Sequence, residues 1–277
     1  MNLDRGPRVP ADPRLSVVVM SVDCDPNALL AVQSIPGGFE KILVNTGQGS
    51  FRGAVGLDDV ILVEDDRKAL PGRTRNLGIA QASAPIIAFL AADCVMPAAA
   101  YDRRMVAHRD GYDLVSSTLR PYGDSLASWA SYLYLHKSRM PEFQKPGSSL
   151  FGVSYRRDVF DRLGLFREDM RIAEDTEFNA RCTGLRSLLA RDVVTYHRYP
   201  ETLREACRDV ARRAVIEMRS RQRSGLRQAR GEALKSLKLS LGIMLSPKAP
   251  MRARMAAFLV PVLGMAAMMA ALIARNA

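Results

Sequence analysis

Residues 15–21 read L-S-V-V-V-M-S, an unbroken apolar run rich in β-branched side chains. A strand that is apolar on both faces belongs to a parallel sheet covered on both sides. Moving outward, the same texture returns in K-I-L-V-N at 41–45, V-I-L-V at 60–63 and P-I-I-A-F-L at 85–90. Helical patterns fall between these runs, at 26–33 and 72–82, and again after them at 98–108. Regular strand–helix alternation predicts βαβ crossovers and an α/β domain with a mostly parallel sheet. Ligands of such sheets lie beyond the carboxyl ends of the strands. That rule directs attention to Asn45-Thr46-Gly47 and to Asp93, which follow two of the runs.

Later strands are expected at 113–117, 150–154 and 193–197, the last ending on His197. An aromatic-rich helix with Trp129, Tyr132 and Tyr134 is expected at 125–138, and a loop with two prolines at 140–149. A short helix at 157–163 should end at Gly164. Then comes R-I-A-E-D-T-E-F-N-A-R at 171–181. Carboxylates suit the first turn of a helix, where N–H groups lack partners and the dipole is positive. Glu177 precedes Arg181 by four residues, the favourable order for an ion pair, which leaves Glu174 and Asp175 at the mouth of the helix.

The chain has 277 residues and a formal charge of +11. Between Arg198 and Arg254 there are fifteen Lys/Arg against five Asp/Glu, so nearly all the excess sits in one late segment. Two amphipathic helices are expected there, at 202–223 and 234–245, followed by residues 255–274 without a single charge. Twenty such residues are long enough for a hydrocarbon core of about 30 Å. A basic stretch before an apolar one fits anionic lipid headgroups; no nucleic-acid motif or aromatic interleaving accompanies it, so nucleic acid is not expected as a partner. The arginines that precede the apolar segment put the folded domain on the cytoplasmic side. The four cysteines are scattered and show no metal spacing, and the polar start of the chain has no apolar signal core. The expected organisation is a flexible lead-in over 1–13, an α/β domain over 14–200, basic amphipathic helices over 201–250 and a transmembrane or membrane-interface helix over 251–277.

The order of these pieces resembles the family 2 glycosyltransferases of GT-A fold. The resemblance rests on L-S-V-V-V-M-S at 15–21, G-R-T-R-N-L-G-I-A at 72–80 and F-L-A-A-D-C-V-M-P at 89–97. It continues through S-Y-R-R-D-V-F-D-R-L-G-L-F at 154–166, A-E-D-T-E-F-N-A-R at 173–181 and T-Y-H at 195–197, about two-thirds of the chain. It implies an inverting transfer from a nucleotide-sugar donor to a hydroxyl of a lipid-linked, envelope or exopolysaccharide glycan. By position, Asp175 with Glu174 matches the catalytic base box. Asn45, Arg75, Asn76 and Asp93 fall at donor-binding positions, and Asp93 and His197 match ligands of a divalent metal, Mg²⁺ or Mn²⁺. Three departures stand out. Ala91 replaces the first carboxylate of the D-x-D motif. Val44-Asn45-Thr46-Gly47 replaces the usual paired aspartates. No Q-x-x-R-W motif follows the acidic box, which argues against a processive synthase. The first two support an alternative, a degenerate GT-A-like glycan-binding or scaffold protein at a membrane; a nucleotidyltransferase is disfavoured by the lack of a Gly-rich phosphate loop.

Overall fold

A computed structural model describes residues 1–5, 14–145, 150–221 and 225–276. The chain divides into two units, residues 1–118 with 145–196, and residues 119–144 with 197–277.

The first unit is built on a nine-stranded sheet. Its strands are β1 (Asn2–Arg5), β2 (Ser16–Val22), β3 (Glu40–Thr46), β4 (Val60–Asp65), β5 (Ile86–Ala91), β6 (Cys94–Val95), β7 (Leu114–Pro121), β8 (Ser154–Arg156) and β9 (Ser187–His197). They lie in the order β1-β4-β3-β2-β5-β8-β7-β9-β6. β2 pairs in parallel with both β3 and β5, and β3 with β4, while β1 and β8 run antiparallel to their neighbours. The four runs found in the sequence are thus the parallel centre of the sheet. The chain steps outward from β2 to β3 and β4, then crosses back to lay β5 on the other side of β2. The crevice at the carboxyl ends of β2 and β5 is therefore the topological switch point.

Side chains alternate across the sheet, so each apolar run feeds two cores. Val17, Val19, Leu43, Leu62 and Leu90 meet helices α1 (Asn27–Gln33) and α3 (Ala98–Arg109) on one face. Val18, Ile42, Val63, Ile87 and Phe89 meet α2 (Pro71–Gln81), α5 (Arg157–Leu163) and α6 (Glu174–Arg181) on the other. Gly78 of α2 lies directly over Val18, and a Cβ there would collide with both valine methyls. That close approach sets α2, and the polar residues at its start, against the sheet.

The second unit collects α4 (Leu126–His136), α7 (Leu203–Arg221), α8 (Gly225–Met244), α9 (Met251–Ala256) and α10 (Val260–Asn276). α4 packs on α7, α9 and α10, and α10 on α7 and α8. Three expectations change. Asn2–Arg5, expected in a flexible lead-in, form an edge strand on β4; residues 6–13 of that lead-in lie outside the described residues. The strand expected over 150–154 is confined to Ser154–Arg156. The aromatic helix α4, expected within the α/β domain, belongs with the C-terminal helices, because its buried Ala127, Ala130 and Leu133 meet their apolar faces. The carboxyl-terminal apolar helix is present, with Met251–Ala274 long and apolar enough to cross a membrane.

Candidate active site

The carboxyl ends of the parallel strands hold a cluster of buried polar residues, Ser21, Asn45, Thr46, Glu64 and Asp65. After β2 the chain turns through Asp23 and Cys24, both with positive φ (52° and 58°), a conformation uncommon for residues with a Cβ. The turn is held from β3: Asp23 N–H donates to the Thr46 carbonyl at 2.9 Å, and Cys24 N–H to Asn45 Oδ1 at 3.0 Å. Asn45 Nδ2 in turn donates to the Gly49 carbonyl at 3.3 Å. Gly47 and Gly49 have φ of 96° and 82°, and a Cβ on either would strike Asp23 or Cys24. The T-G-Q-G-S turn is glycine-rich because two loops interlock there. Asp23 also pairs with Lys68 and accepts the Gln48 N–H, and these contacts hold its carboxyl below the ordinary carboxylate range.

Beside Asn45, in register across the sheet, stand Glu64 and then Asp65 at the end of β4. Asp65 is buried and bonded to Arg67 (3.1 Å) and Arg73 (3.0 Å); the Arg67 bond, ahead of the others, drives its carboxyl far below the usual range. Glu64 accepts the Phe51 N–H at 2.8 Å and pairs with Arg52 at 3.3 Å. Gly47–Ser50, Arg52 and Glu64–Asp66 line a groove of about 600 Å³ together with Met1 and Asn2. These carboxylates were not singled out from the sequence. The signal was present as E-D-D at 64–66, one strand beyond V-N-T-G, where an acidic pair was sought.

Three polar positions on α2, Arg73, Arg75 and Asn76, reach different partners. Arg73 bonds Asp65 and lies 3.5 Å from Glu168. Arg75 Nε donates to Glu174 Oε1 at 3.1 Å, with its guanidinium 5.0 Å from the Phe89 ring centre and 5.3 Å from that of Phe166. Asn76 takes the Phe166 N–H on Oδ1 and donates to the Phe166 carbonyl and Glu168, both at 2.9 Å. Its amide is engaged in holding the approach to α6 rather than turned to a ligand. Gly72 lies so close that a Cβ would strike the Arg167 carbonyl.

Ala173, ahead of α6, is left-handed (φ 64°, ψ 24°), a cost of about 1–2 kcal/mol for a residue with a Cβ. The turn it makes separates the two carboxylates that follow. Glu174 is buried under Arg75, whereas Asp175 lines a small cavity of about 60 Å³. Met20 of β2, Phe89 and Ala91 of β5, Arg75, Tyr155 and Asn179 share that cavity. Asp175 Oδ1 accepts the Thr176 N–H at 2.7 Å. Tyr155 donates to Asn179 Oδ1 at 2.8 Å, and its burial pushes the phenol ionisation up. Glu177 bonds Arg181 at 3.1 Å, as the spacing predicts.

The acidic box, Arg75 and the end of β5 are therefore together at the switch-point crevice. Asp93 lies two residues beyond Ala91 in the turn between β5 and β6, half-buried, with Cys94 Sγ 3.7 Å from Oδ1. One carboxylate with no second in the motif suits a hard cation that takes most of its ligands from phosphate and water. His197 ends β9 and belongs to the second unit, where its ring stacks on Tyr199 at 4.4 Å and lies 5.6 Å from His136.

No family profile and no curated protein matches the sequence. Solved structures do match in three dimensions. The mannosyltransferase PcManGT of Pyrobaculum calidifontis, in complex with GDP-Man and Mn²⁺, aligns with a TM-score of 0.55 at 18% identity, over 100% of this chain and 79% of that one. TarS (1–349) of S. aureus, in complex with UDP-GlcNAc, aligns with a TM-score of 0.51 at 14% identity, over 95% and 92%. The fold is a glycosyltransferase fold. At these identities the likeness covers backbone architecture, and the chemistry has to be argued from the residues.

Proposed function

We propose that this chain is an inverting, family 2-like glycosyltransferase that moves a sugar from a nucleotide-sugar donor to an acceptor hydroxyl. The observation that carries the reading is the cavity at the switch point, where Asp175 faces the ends of β2 and β5 beside Arg75. PcManGT and TarS were both solved as complexes with nucleotide sugars, which supports the donor class.

Inversion requires a base for the attacking hydroxyl and positive charge near the departing diphosphate. Asp175 is the base: it stands in the first turn of α6 and lines the cavity. Glu174 serves as its counterpart, neutralising Arg75 and fixing it over the aromatic floor, so that Asp175 is not drawn into an ion pair. Arg75, Asn45, Asn76 and Asp93 surround the donor, with Asn45 and Asn76 acting through the loops they hold. Asp93 is the residue to hold a divalent cation, Mg²⁺ or Mn²⁺, and His197 is the further ligand that the sequence resemblance implies. That cation supplies charge neutralisation for the leaving diphosphate. The acceptor in this reading is a glycan or lipid-linked sugar, and the basic, apolar carboxyl-terminal region supports a position at the cytoplasmic face of an inner membrane.

The engaged amides of Asn45 and Asn76, with Ala91 in the metal motif, favour one other reading, a GT-A-like glycan-binding or scaffold protein. Transfer assays with Asp175→Asn separate the two. Retained donor binding with turnover lowered by about 10²–10⁴ supports the base assignment. Turnover unchanged in Asp175→Asn removes it.

A further inference from the structure

We infer that the helical unit docks on an anionic bilayer surface with α9 and α10 lying in the membrane plane, not crossing it. The inference deepens the membrane reading above and does not depend on donor chemistry.

The apolar helix is two-faced. Met251, Met255, Phe258, Met265, Met269 and Ile273 are exposed, Ile273 to 65%. Their spacings of four, three, seven, four and four residues keep them on one stripe of a helix of 3.6 residues per turn. The opposite side, through Ala253, Ala256, Val260, Leu263, Ala267 and Ala271, is buried. That side packs on α8 and α7, and Ser240 of α8 donates its hydroxyl to the Ala257 carbonyl at 2.7 Å. α8 has a second exposed stripe in Leu234, Leu237, Leu241 and, just past its end, Leu245.

Charge identifies the occupant. From residue 233 to the carboxyl terminus there is no Asp or Glu, and there are six Lys or Arg. Lys235, Lys238, Lys248, Arg252 and Arg254 are all exposed. Arg252 pairs with Asp124 at 2.7 Å, so the border of the stripes is cationic with this one carboxylate in it; apolar stripes with a cationic border complement lipid tails bordered by anionic headgroups. A second copy of the chain would bring the same positive charge face to face with itself.

Packing decides between lying and spanning. A spanning α10 either sheds α7 and α8, exposing its small-residue side, or draws them in. Those two helices contain ten Lys or Arg, and charges in the hydrocarbon are strongly disfavoured. An in-plane helix keeps its packed side on protein and immerses only the stripe.

The test uses the full chain with vesicles of phosphatidylcholine alone or mixed with phosphatidylglycerol, and membranes of cells expressing a C-terminally tagged protein. Binding to phosphatidylglycerol vesicles should exceed that to phosphatidylcholine by about tenfold or more and fall with salt. Met265→Gln with Met269→Gln, at exposed positions, should reduce that binding by about tenfold while leaving the melting transition and donor binding unchanged. Alkaline carbonate should release the protein, with the tag open to protease from the cytoplasmic side. Carbonate-resistant protein with a tag reachable only from the opposite side would establish a span and overturn the inference. Dimerisation through the stripe without vesicle binding would overturn it in favour of a second copy. Absence of binding to either vesicle would remove the membrane reading while leaving the donor reading intact.

Discussion

Glu174→Gln tests how the acidic box divides its work. Arg75 and Glu174 are 14% and 7% exposed and 3.1 Å apart. At an effective dielectric constant of 20 their gross attraction is about 5 kcal/mol. Removing one partner of a buried pair leaves the other charge unmatched and costs about 3–5 kcal/mol. Gln retains the shape and an acceptor, which places Glu174→Gln near the lower figure, about 3 kcal/mol. Arg75→Met should cost a similar amount by stranding Glu174. The double variant removes both charges and should lose about 2 kcal/mol less than the sum of the singles. For a unit of this size, 3 kcal/mol lowers Tm by about 6–12 °C. Differential scanning calorimetry and urea unfolding of the four proteins measure the cycle. Losses that simply add, or a Glu174→Gln protein within 1 kcal/mol of the parent, would show that the pair does not organise the site.

Other substitutions probe the frame behind it. Gly78→Ala gains helix propensity, yet its methyl would meet both Val18 methyls; chemical denaturation should show a net loss of about 1–3 kcal/mol. Gly47→Ala combines φ 96° with a collision against Asp23, and should weaken donor binding in calorimetry more than it lowers Tm. His108 is buried, with its pKa pushed down to about 4 chiefly by burial. The unfolded chain therefore binds one more proton between about pH 4 and 6.5, so stability is complete above that window and falls by up to about 3 kcal/mol through it. His108→Asn should flatten this slope in unfolding curves taken from pH 4 to 7, and an unchanged slope would assign it to other groups.

The parallel centre of the sheet was legible because apolar strands buried on both faces have few other uses. The edges were not. Asn2–Arg5 has no apolar pattern, and its pairing with β4 depends on a neighbour 60 residues away. α4 reads as a core helix in isolation, and only its partners reveal which unit it completes. The acidic box was legible as the start of a helix, and its division was not: a left-handed Ala173 turns Glu174 inward to Arg75 and leaves Asp175 on the cavity. Asn45 and Asn76 were found by position, but an amide looks the same in sequence whether it faces a ligand or a backbone. The pairing of buried Asp65 with half-buried Arg73 escaped because an E-D-D end of a strand also reads as an ordinary turn.

Donor binding is the most direct test of the central claim. Isothermal titration of the purified chain with GDP- and UDP-sugars, with and without Mn²⁺, should show saturable binding of at least one donor. That binding should strengthen with Mn²⁺, weaken in Asp93→Ala and persist in Asp175→Asn. No binding of any donor by folded protein would contradict the glycosyltransferase account and leave the glycan-binding or scaffold reading in its place.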